Sequence, residues 1–118
     1  MCIRDSENTA NEKESNIIFA DSKSYKEYSC DLKGKYQKKN IKTALATLDV
    51  LSDKLDISEN DIKNGLSHVV NNNGLLGRWQ VLNQEPLTIC DTAHNIEGVT
   101  EIVSQLKEQE YGLPLIHI

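Results

Sequence analysis

The run Asp91-Thr92-Ala93-His94-Asn95 constrains the fold of this chain more than any other segment. It follows the apolar residues 87–90, which have the length of a short buried strand. After it, apolar residues recur at helical spacing, namely Val99, Ile102, Val103 and Leu106. The pattern therefore predicts a strand, a polar turn and a helix, and ligands of open α/β sheets bind at such strand ends. Aspartate and asparagine are also common in turns and helix caps, so a purely structural role stays open.

Two amphipathic helices are predicted upstream of this turn. The first extends from about Ile41 to Lys54, and Asn40 stands where its N-cap is expected. The second extends from about Glu59 to Val70, and Ser58 and Asp61 have the spacing of a capping box. Both helices have one apolar stripe, so we expect them to pack against the rest of a small globular domain.

The remaining segments are assigned from shorter patterns. Residues 71–74, three asparagines and a glycine, predict a break between two structural units, and residues 79–82 predict a strand beyond it. Nearer the N-terminus, residues 7–16 are polar and predict a loose segment. Residues 17–20 and 25–32 predict short strands.

The composition argues against several classes of protein. The 118 residues suffice for one small domain, and the net charge of −5 argues against non-specific nucleic-acid binding. No apolar run is long enough to cross a membrane, and the mean hydropathy is −0.49. A local cluster of lysines is interpreted as a solvated loop and helix start. Its members are Lys33, Lys35, Lys38, Lys39 and Lys42.

The cysteines and the N-terminus indicate the expected compartment. Cys2, Cys30 and Cys90 have neither paired nor metal-ligand spacing, and the N-terminal residues lack the apolar stretch of a signal peptide. We therefore expect a reducing, cytoplasmic environment, and we expect neither a membrane nor a nucleic acid as a partner.

Three sequence blocks occur in order along the chain: Gly34-x-Tyr36-Gln37-x-x-Asn40, then Gly77-Arg78, then Asp91-x-Ala93-His94-Asn95. Together they resemble the folylpolyglutamate synthase/dihydrofolate synthase family of Mur-ligase-like, ATP-dependent amide ligases. That family's pattern is Gly-x-(His/Tyr)-Gln-x-x-Asn, Gly-Arg and Asp-x-Ala-His-Asn-Pro. The resemblance covers about residues 17–110 and departs at Ile96, where the family usually has proline. Because that proline mainly shapes the start of a helix, the departure should have a small effect.

The resemblance implies an α/β fold in two incomplete parts. Residues 7–73 would form the end of a Mur-ligase-type central ATPase domain, and residues 74–114 the start of a Rossmann-like C-terminal domain. None of the six glycines belongs to a Gly-x-x-x-x-Gly-Lys-(Ser/Thr) phosphate loop, which the family has in its larger N-terminal part. We therefore expect a fragment that is inactive alone and a monomer when full length. Residues 1–6 and 115–118 resemble translated sequencing adaptors and are expected to be non-native.

The resemblance also implies a reaction and its residues. In this family ATP phosphorylates a folate carboxylate, and the amine of L-glutamate attacks the acyl phosphate; Mg²⁺ and basic groups stabilise the transferred phosphoryl. ATP contacts are implied for Asn40, Arg78 and Asp91, with Arg78 on phosphate and Asp91 on the ribose. His94 would position glutamate or the nucleotide, and no metal ligand is assigned. The structural alternatives are a helix cap for Asn40, a surface side chain beside Trp79 for Arg78 and an Asx turn for Asp91.

Two other functions remain open at this point. The substrate is expected to be tetrahydrofolate, dihydropteroate or both, but another Mur-type ligase that joins amino acids to cell-wall precursors has the same reaction chemistry. A non-catalytic α/β binding module is the alternative from a different class. It would need neither ATP nor Mg²⁺, and it would have a self-contained core.

Overall fold

The computed structural model describes residues 3–109, which form a small α/β unit of helices and one two-stranded sheet. A short 3-10 helix, Ala20–Ser22, lies between the first two α-helices. The α-helices are α1 (Ile3–Glu12), α2 (Gln37–Leu51), α3 (Glu59–Ser67), α4 (Val69–Asn73) and α5 (Ile96–Lys107). The strands are β1 (Gln80–Gln84) and β2 (Leu87–Cys90).

Strands β1 and β2 form an antiparallel hairpin, as expected for two short strands joined by a tight connection. The register pairs Gln80 with Cys90 and Gln84 with Leu87, with an irregularity between Val81 and Asn83. The bounds of β2 are those predicted from the apolar run, but the prediction that the strand is buried is wrong: Leu87 and Thr88 are exposed, and Ile89 and Cys90 are half-buried. The hairpin brings the residues before β1 beside the turn that follows β2, and this juxtaposition positions the candidate site.

Helix α2 begins earlier and ends earlier than the apolar pattern predicted. Tight turns wind the backbone before the apolar stripe starts, because the amides of Gln37 and Lys38 donate to the carbonyls of Gly34 and Lys35. Asn40 therefore lies inside the first turn of the helix, and its predicted N-cap position is wrong. At the other end, the Ser52 hydroxyl donates to the Asp49 carbonyl at 2.7 Å, where the helix stops.

Helix α3 begins as predicted. The amide of Asp61 donates to Ser58 Oγ at 3.2 Å, and Asp61 Oδ2 accepts the Ser58 amide at 2.9 Å, which confirms the capping box. The prediction that this helix continues to Val70 is wrong, because the backbone leaves helical geometry at His68. The His68 side chain is exposed.

A separate short helix, α4, follows this break. Asp31 holds its start from a distance: Oδ1 accepts from the amide of Val69 at 3.1 Å and Oδ2 from that of Val70 at 2.9 Å. Gly74 ends the helix with a φ of 61°, a left-handed conformation typical of a C-terminal cap. The prediction that residues 71–74 interrupt the secondary structure is wrong for the three asparagines, which are helical. It is correct for Gly74, which ends the helix.

The N-terminal segments also differ from the prediction. Residues 7–16 were expected to be loose, but α1 continues to Glu12. Neither 17–20 nor 25–32 is a strand, because no strand lies beside them to supply hydrogen-bond partners in the described part of the chain. This segment is instead fastened through side chains. Tyr25 donates to Asp49 Oδ2 at 2.9 Å.

The buried core of the described residues is small. Leu45, Ala46 and Trp79 are the buried apolar residues, and Gln37 and Gln105 are buried polar ones. The radius of gyration is 17.5 Å, well above the about 13.5 Å expected for a compact domain of this length. No helix between residues 3 and 109 is long and apolar enough to span a membrane.

Candidate functional site

The carboxylate of Asp91 is the centre of a hydrogen-bond network at the end of β2. Oδ2 accepts the amide of Trp79 at 2.7 Å and the hydroxyl of Tyr36 at 2.7 Å. Oδ1 accepts the amide of Ala93 at 3.0 Å, which is the two-residue reach of an Asx turn. The structural role expected as an alternative for Asp91 is therefore present, but Asp91 also reaches two other segments of the chain.

The loop before β1 is fixed by this turn. Gly77 and Trp79 both have left-handed backbones, with φ values of 69° and 49°. The carbonyl of Gly77 accepts the Thr92 amide at 2.9 Å, and a Cβ on Gly77 would lie 2.6 Å from Thr92 Cγ2. Only glycine allows this approach without a shift. The twisted loop presents Arg78 between the two anchored residues, and its Nη1 donates to Thr92 Oγ1.

Tyr36 connects this turn to the start of α2. Its hydroxyl reaches Asp91 across 55 residues of sequence. A Cβ on Gly34 would lie 2.6 Å from Cε1 of the Tyr36 ring, so the glycine allows the ring to lie against the backbone. Burial, and next the hydrogen bond and charge of Asp91, raise the pKa of Tyr36 to about 12. The phenol therefore stays protonated and donates to the carboxylate.

A second connection joins the same loop to α5. The side-chain amide of Gln105, which is only 6% exposed, accepts the Lys35 amide at 2.7 Å and donates to the Lys33 carbonyl at 3.1 Å. Two exposed ion pairs strengthen this connection: Lys35 pairs with Glu108, and Lys39 pairs with Glu101. The loop of the motif around Gly34 is thus held between α5 and the Asp91 turn.

These contacts surround a cleft of about 290 Å³ between the start of α2 and the start of α5. Two basic side chains, Lys39 and Arg78, face it together with acidic ones. The full lining is Tyr36, Lys39, Asn40, Arg78, Asp91, Ala93, Asn95, Glu97, Gly98 and Glu101. The volume is just below the range of about 300–1,000 Å³ typical of small-molecule sites, so the cleft can hold part of a small molecule.

Three of the four residues predicted to bind ligands line this cleft: Asn40, Arg78 and Asp91. Asn40 Nδ2 also donates to the buried Gln37 at 2.8 Å. His94 is exposed and does not line the cleft; its Nδ1 lies 3.2 Å from the Thr92 carbonyl. The turn directs the imidazole back towards its own backbone, and the role of His94 in positioning glutamate or the nucleotide stays a prediction.

Sequence reasoning missed two residues of this arrangement. Tyr36 belongs to the first motif block but received no role, and only its contact with Asp91 supplies one. Gln105 had no signal, because a glutamine on an amphipathic helix is ordinarily a solvent-facing residue. By contrast, Asn95 caps α5 through Oδ1 and the Gly98 amide at 2.8 Å, as expected for an asparagine at this position.

Neither a metal-binding cluster in the described part of the chain nor a similar known protein was found. Among residues 3–109 no group of three or more His, Cys, Asp or Glu side chains could hold a metal ion. Comparisons of the chain with protein-family models, with curated proteins and with solved structures find no match.

Proposed function

We propose that this chain is part of a cytoplasmic, ATP-dependent ligase that adds L-glutamate to folates, and that the cleft is part of its nucleotide site. One observation carries the proposal. Asn40, Arg78 and Asp91 come from three separate sequence blocks, were assigned to ATP on the resemblance of those blocks, and line one cleft. Their meeting at one cleft supports a shared role in binding a ligand.

The chemistry of the lining residues fits part of ATP. The guanidinium of Arg78 has five N–H donors and uses Nη1 on Thr92, so the others can bind phosphoryl oxygens. Asp91 supplies carboxylate oxygens for ribose hydroxyls. In the family that the chain resembles, the phosphate loop and the Mg²⁺ ligands lie in the larger N-terminal part, so that part would hold the ion and the γ-phosphoryl.

A second candidate, a non-catalytic α/β binding module, is favoured by a different observation. The three donors on Asp91 explain this carboxylate without any ligand, since they fasten the Trp79 loop and the Asx turn. The two candidates differ in what Arg78 does. A ligase needs its guanidinium for phosphoryl transfer, whereas a binding module would tolerate any polar residue there.

The deciding experiment is a ligation assay on the protein encoded by the complete reading frame that contains this chain. ATP- and Mg²⁺-dependent attachment of glutamate to dihydropteroate and tetrahydrofolate would be measured for wild type, Arg78→Gln and the control Lys38→Ala. Lys38 is exposed and does not line the cleft. We expect wild-type activity, a loss of about 100-fold or more in Arg78→Gln because a transition-state charge contact is removed, and little change in the control.

Two results would contradict the proposal. Activity of Arg78→Gln equal to wild type would remove the arginine from the reaction, and the absence of ligation with either folate would favour the binding module. The 118-residue chain alone should be inactive, because the phosphate loop and the metal site are not among its motifs. Glutamate addition by this chain alone would refute the division of the site between two parts.

A further inference from the structure

The acceptor capacity of Asp91 is almost fully used within the chain. Each carboxylate oxygen has about two lone-pair directions. Oδ2 uses both, for the Tyr36 hydroxyl and the Trp79 amide, and Oδ1 uses one, for the Ala93 amide. Two neighbouring ribose hydroxyls need two acceptor directions, but a single one is open. A bidentate ribose contact therefore requires one of the three present donors to leave.

Only one of these donors can leave without unfolding the site. The Trp79 and Ala93 donors are backbone amides. The first belongs to a loop anchored by Gly77 and by the buried Trp79 ring, and the second closes the Asx turn. The Tyr36 donor is a side-chain hydroxyl on a half-buried ring that lines the cleft and can rotate about its side-chain bonds.

We propose that Tyr36 gates the nucleotide site: its hydroxyl occupies the position of one ribose hydroxyl on Asp91 Oδ2 and leaves when a nucleotide binds. The choice of ligand rests on the proposed function. The gate has two consequences. It lowers nucleotide affinity by the free energy of the Tyr36–Asp91 hydrogen bond, and it acts only on ligands that carry the ribose hydroxyls.

Gly34 offers an independent way to open the gate. A Cβ at residue 34 would lie 2.6 Å from Cε1 and 2.8 Å from Cζ of the Tyr36 ring, so Gly34→Ala forces the ring away from its position. Tyr36→Phe removes the hydroxyl and leaves the ring in place. Gly65 provides the matched control, because a Cβ there meets no atom within 4 Å.

The test is a titration of the complete protein that contains this chain with ATP and with 2′,3′-dideoxy-ATP, followed through the NMR signals of the Trp79 and Ala93 amides. We expect Tyr36→Phe and Gly34→Ala each to bind ATP about threefold more tightly than wild type, as expected for one hydrogen bond removed from competition. The affinity for dideoxy-ATP should be unchanged in both variants. Gly65→Ala should match wild type for both ligands.

Each other outcome overturns the gate. Equal or weaker ATP binding in Tyr36→Phe would make Tyr36 a purely structural or supporting residue. Equal gains for ATP and dideoxy-ATP would mean that the hydroxyl does not compete for the ribose position. If neither ligand shifts the two amides in any protein, Asp91 does not receive ribose hydroxyls. The proposed ligase activity is judged separately by the glutamate-addition assay, so the two failures are distinguishable.

Discussion

Two aspartates, Asp31 and Asp91, each accept backbone amides from a distant part of the chain. Asp31 fixes the start of α4 through the amides of Val69 and Val70, and it does not line the cleft described above. Asp91 fixes the Trp79 loop in the same way, but it also accepts a side-chain hydroxyl and lines the charged cleft. The difference shows that backbone anchoring alone does not indicate a binding role. The binding role proposed for Asp91 rests instead on its place at the cleft and on Tyr36, a side-chain donor that can rotate away.

The largest expected effect comes from removing the two carboxylates in turn. Asp91→Ala should lower the free energy of unfolding by about 3 kcal/mol, because it leaves two amides and a hydroxyl without their charged acceptor. Asp31→Ala should cost about 1.5 kcal/mol, the range of a lost helix cap. Urea denaturation followed by Trp79 fluorescence and by far-ultraviolet circular dichroism measures both. Equal losses would break the distinction between the two regions.

Two glycines sharpen the same comparison, because both have left-handed backbones. Gly77 supports the Asp91 turn, and a Cβ there would lie 2.6 Å from Thr92 Cγ2; Gly74 ends α4 and a Cβ there meets nothing within 4 Å. We expect Gly77→Ala to cost about 2–3 kcal/mol in stability and Gly74→Ala about 1 kcal/mol, the backbone term alone. Denaturant midpoints of the two variants measure the difference. A cost at Gly77 no larger than at Gly74 would mean that the loop moves away from Thr92 freely.

Local patterns predicted the elements whose hydrogen bonds close over a few residues. The Ser58–Asp61 capping box, the bounds of β2 and the cap by Asn95 all depend on partners within three residues or on one short apolar run. Each of these predictions was correct because the stabilising contacts are local, so the sequence pattern itself contains both partners. The four residues assigned to ligands also came from short motifs, and three of them meet in the cleft.

Several features that the sequence did not predict depend on distant residues. The segments 17–20 and 25–32 have strand-like composition, but a strand forms only where another strand pairs with it. The amide of Gln105 is buried because the loop at Lys33 and Lys35 happens to need both a donor and an acceptor. Asp31 accepts hydrogen bonds from the amides of Val69 and Val70, which lie 38 and 39 positions further along the chain. No local period contains such information.

The Tyr36–Asp91 and Tyr25–Asp49 hydrogen bonds predict different behaviour at alkaline pH. The pKa of Tyr36 is raised from 10.0 to about 12, so folding favours its protonated form. The resulting stability is fully present below about pH 10 and is lost as the pH rises through 12. Tyr25, whose bond to Asp49 is exposed, has a pKa that burial and Asp49 also raise.

Stability measured from pH 8 to 12 tests this difference. Tyr36→Phe should flatten the alkaline decline, and Tyr25→Phe should change it less. Replacing Asp91 by Asn should lower the pKa of Tyr36, since the charged acceptor is removed, and phenolate absorbance at rising pH measures that shift directly. A decline as steep in Tyr36→Phe as in wild type would show that other groups cause it.

The smallest effects are expected from the exposed ion pairs, one in each region. Lys39 and Glu101 lie 2.9 Å apart beside the cleft, with side chains 74% and 41% exposed, and Lys26 with Glu59 is similarly exposed near α3. Because exposed pairs are screened and cost side-chain entropy, Lys39→Gln and Lys26→Gln should each change stability very little. Thermal unfolding at low and high salt measures both. A larger, salt-dependent loss for Lys39→Gln alone would mean that surface charge also helps to hold the cleft together. Equal small losses would mean that the two regions differ in the part-buried hydrogen bonds of Asp91 and Gln105 and not in their surface charge.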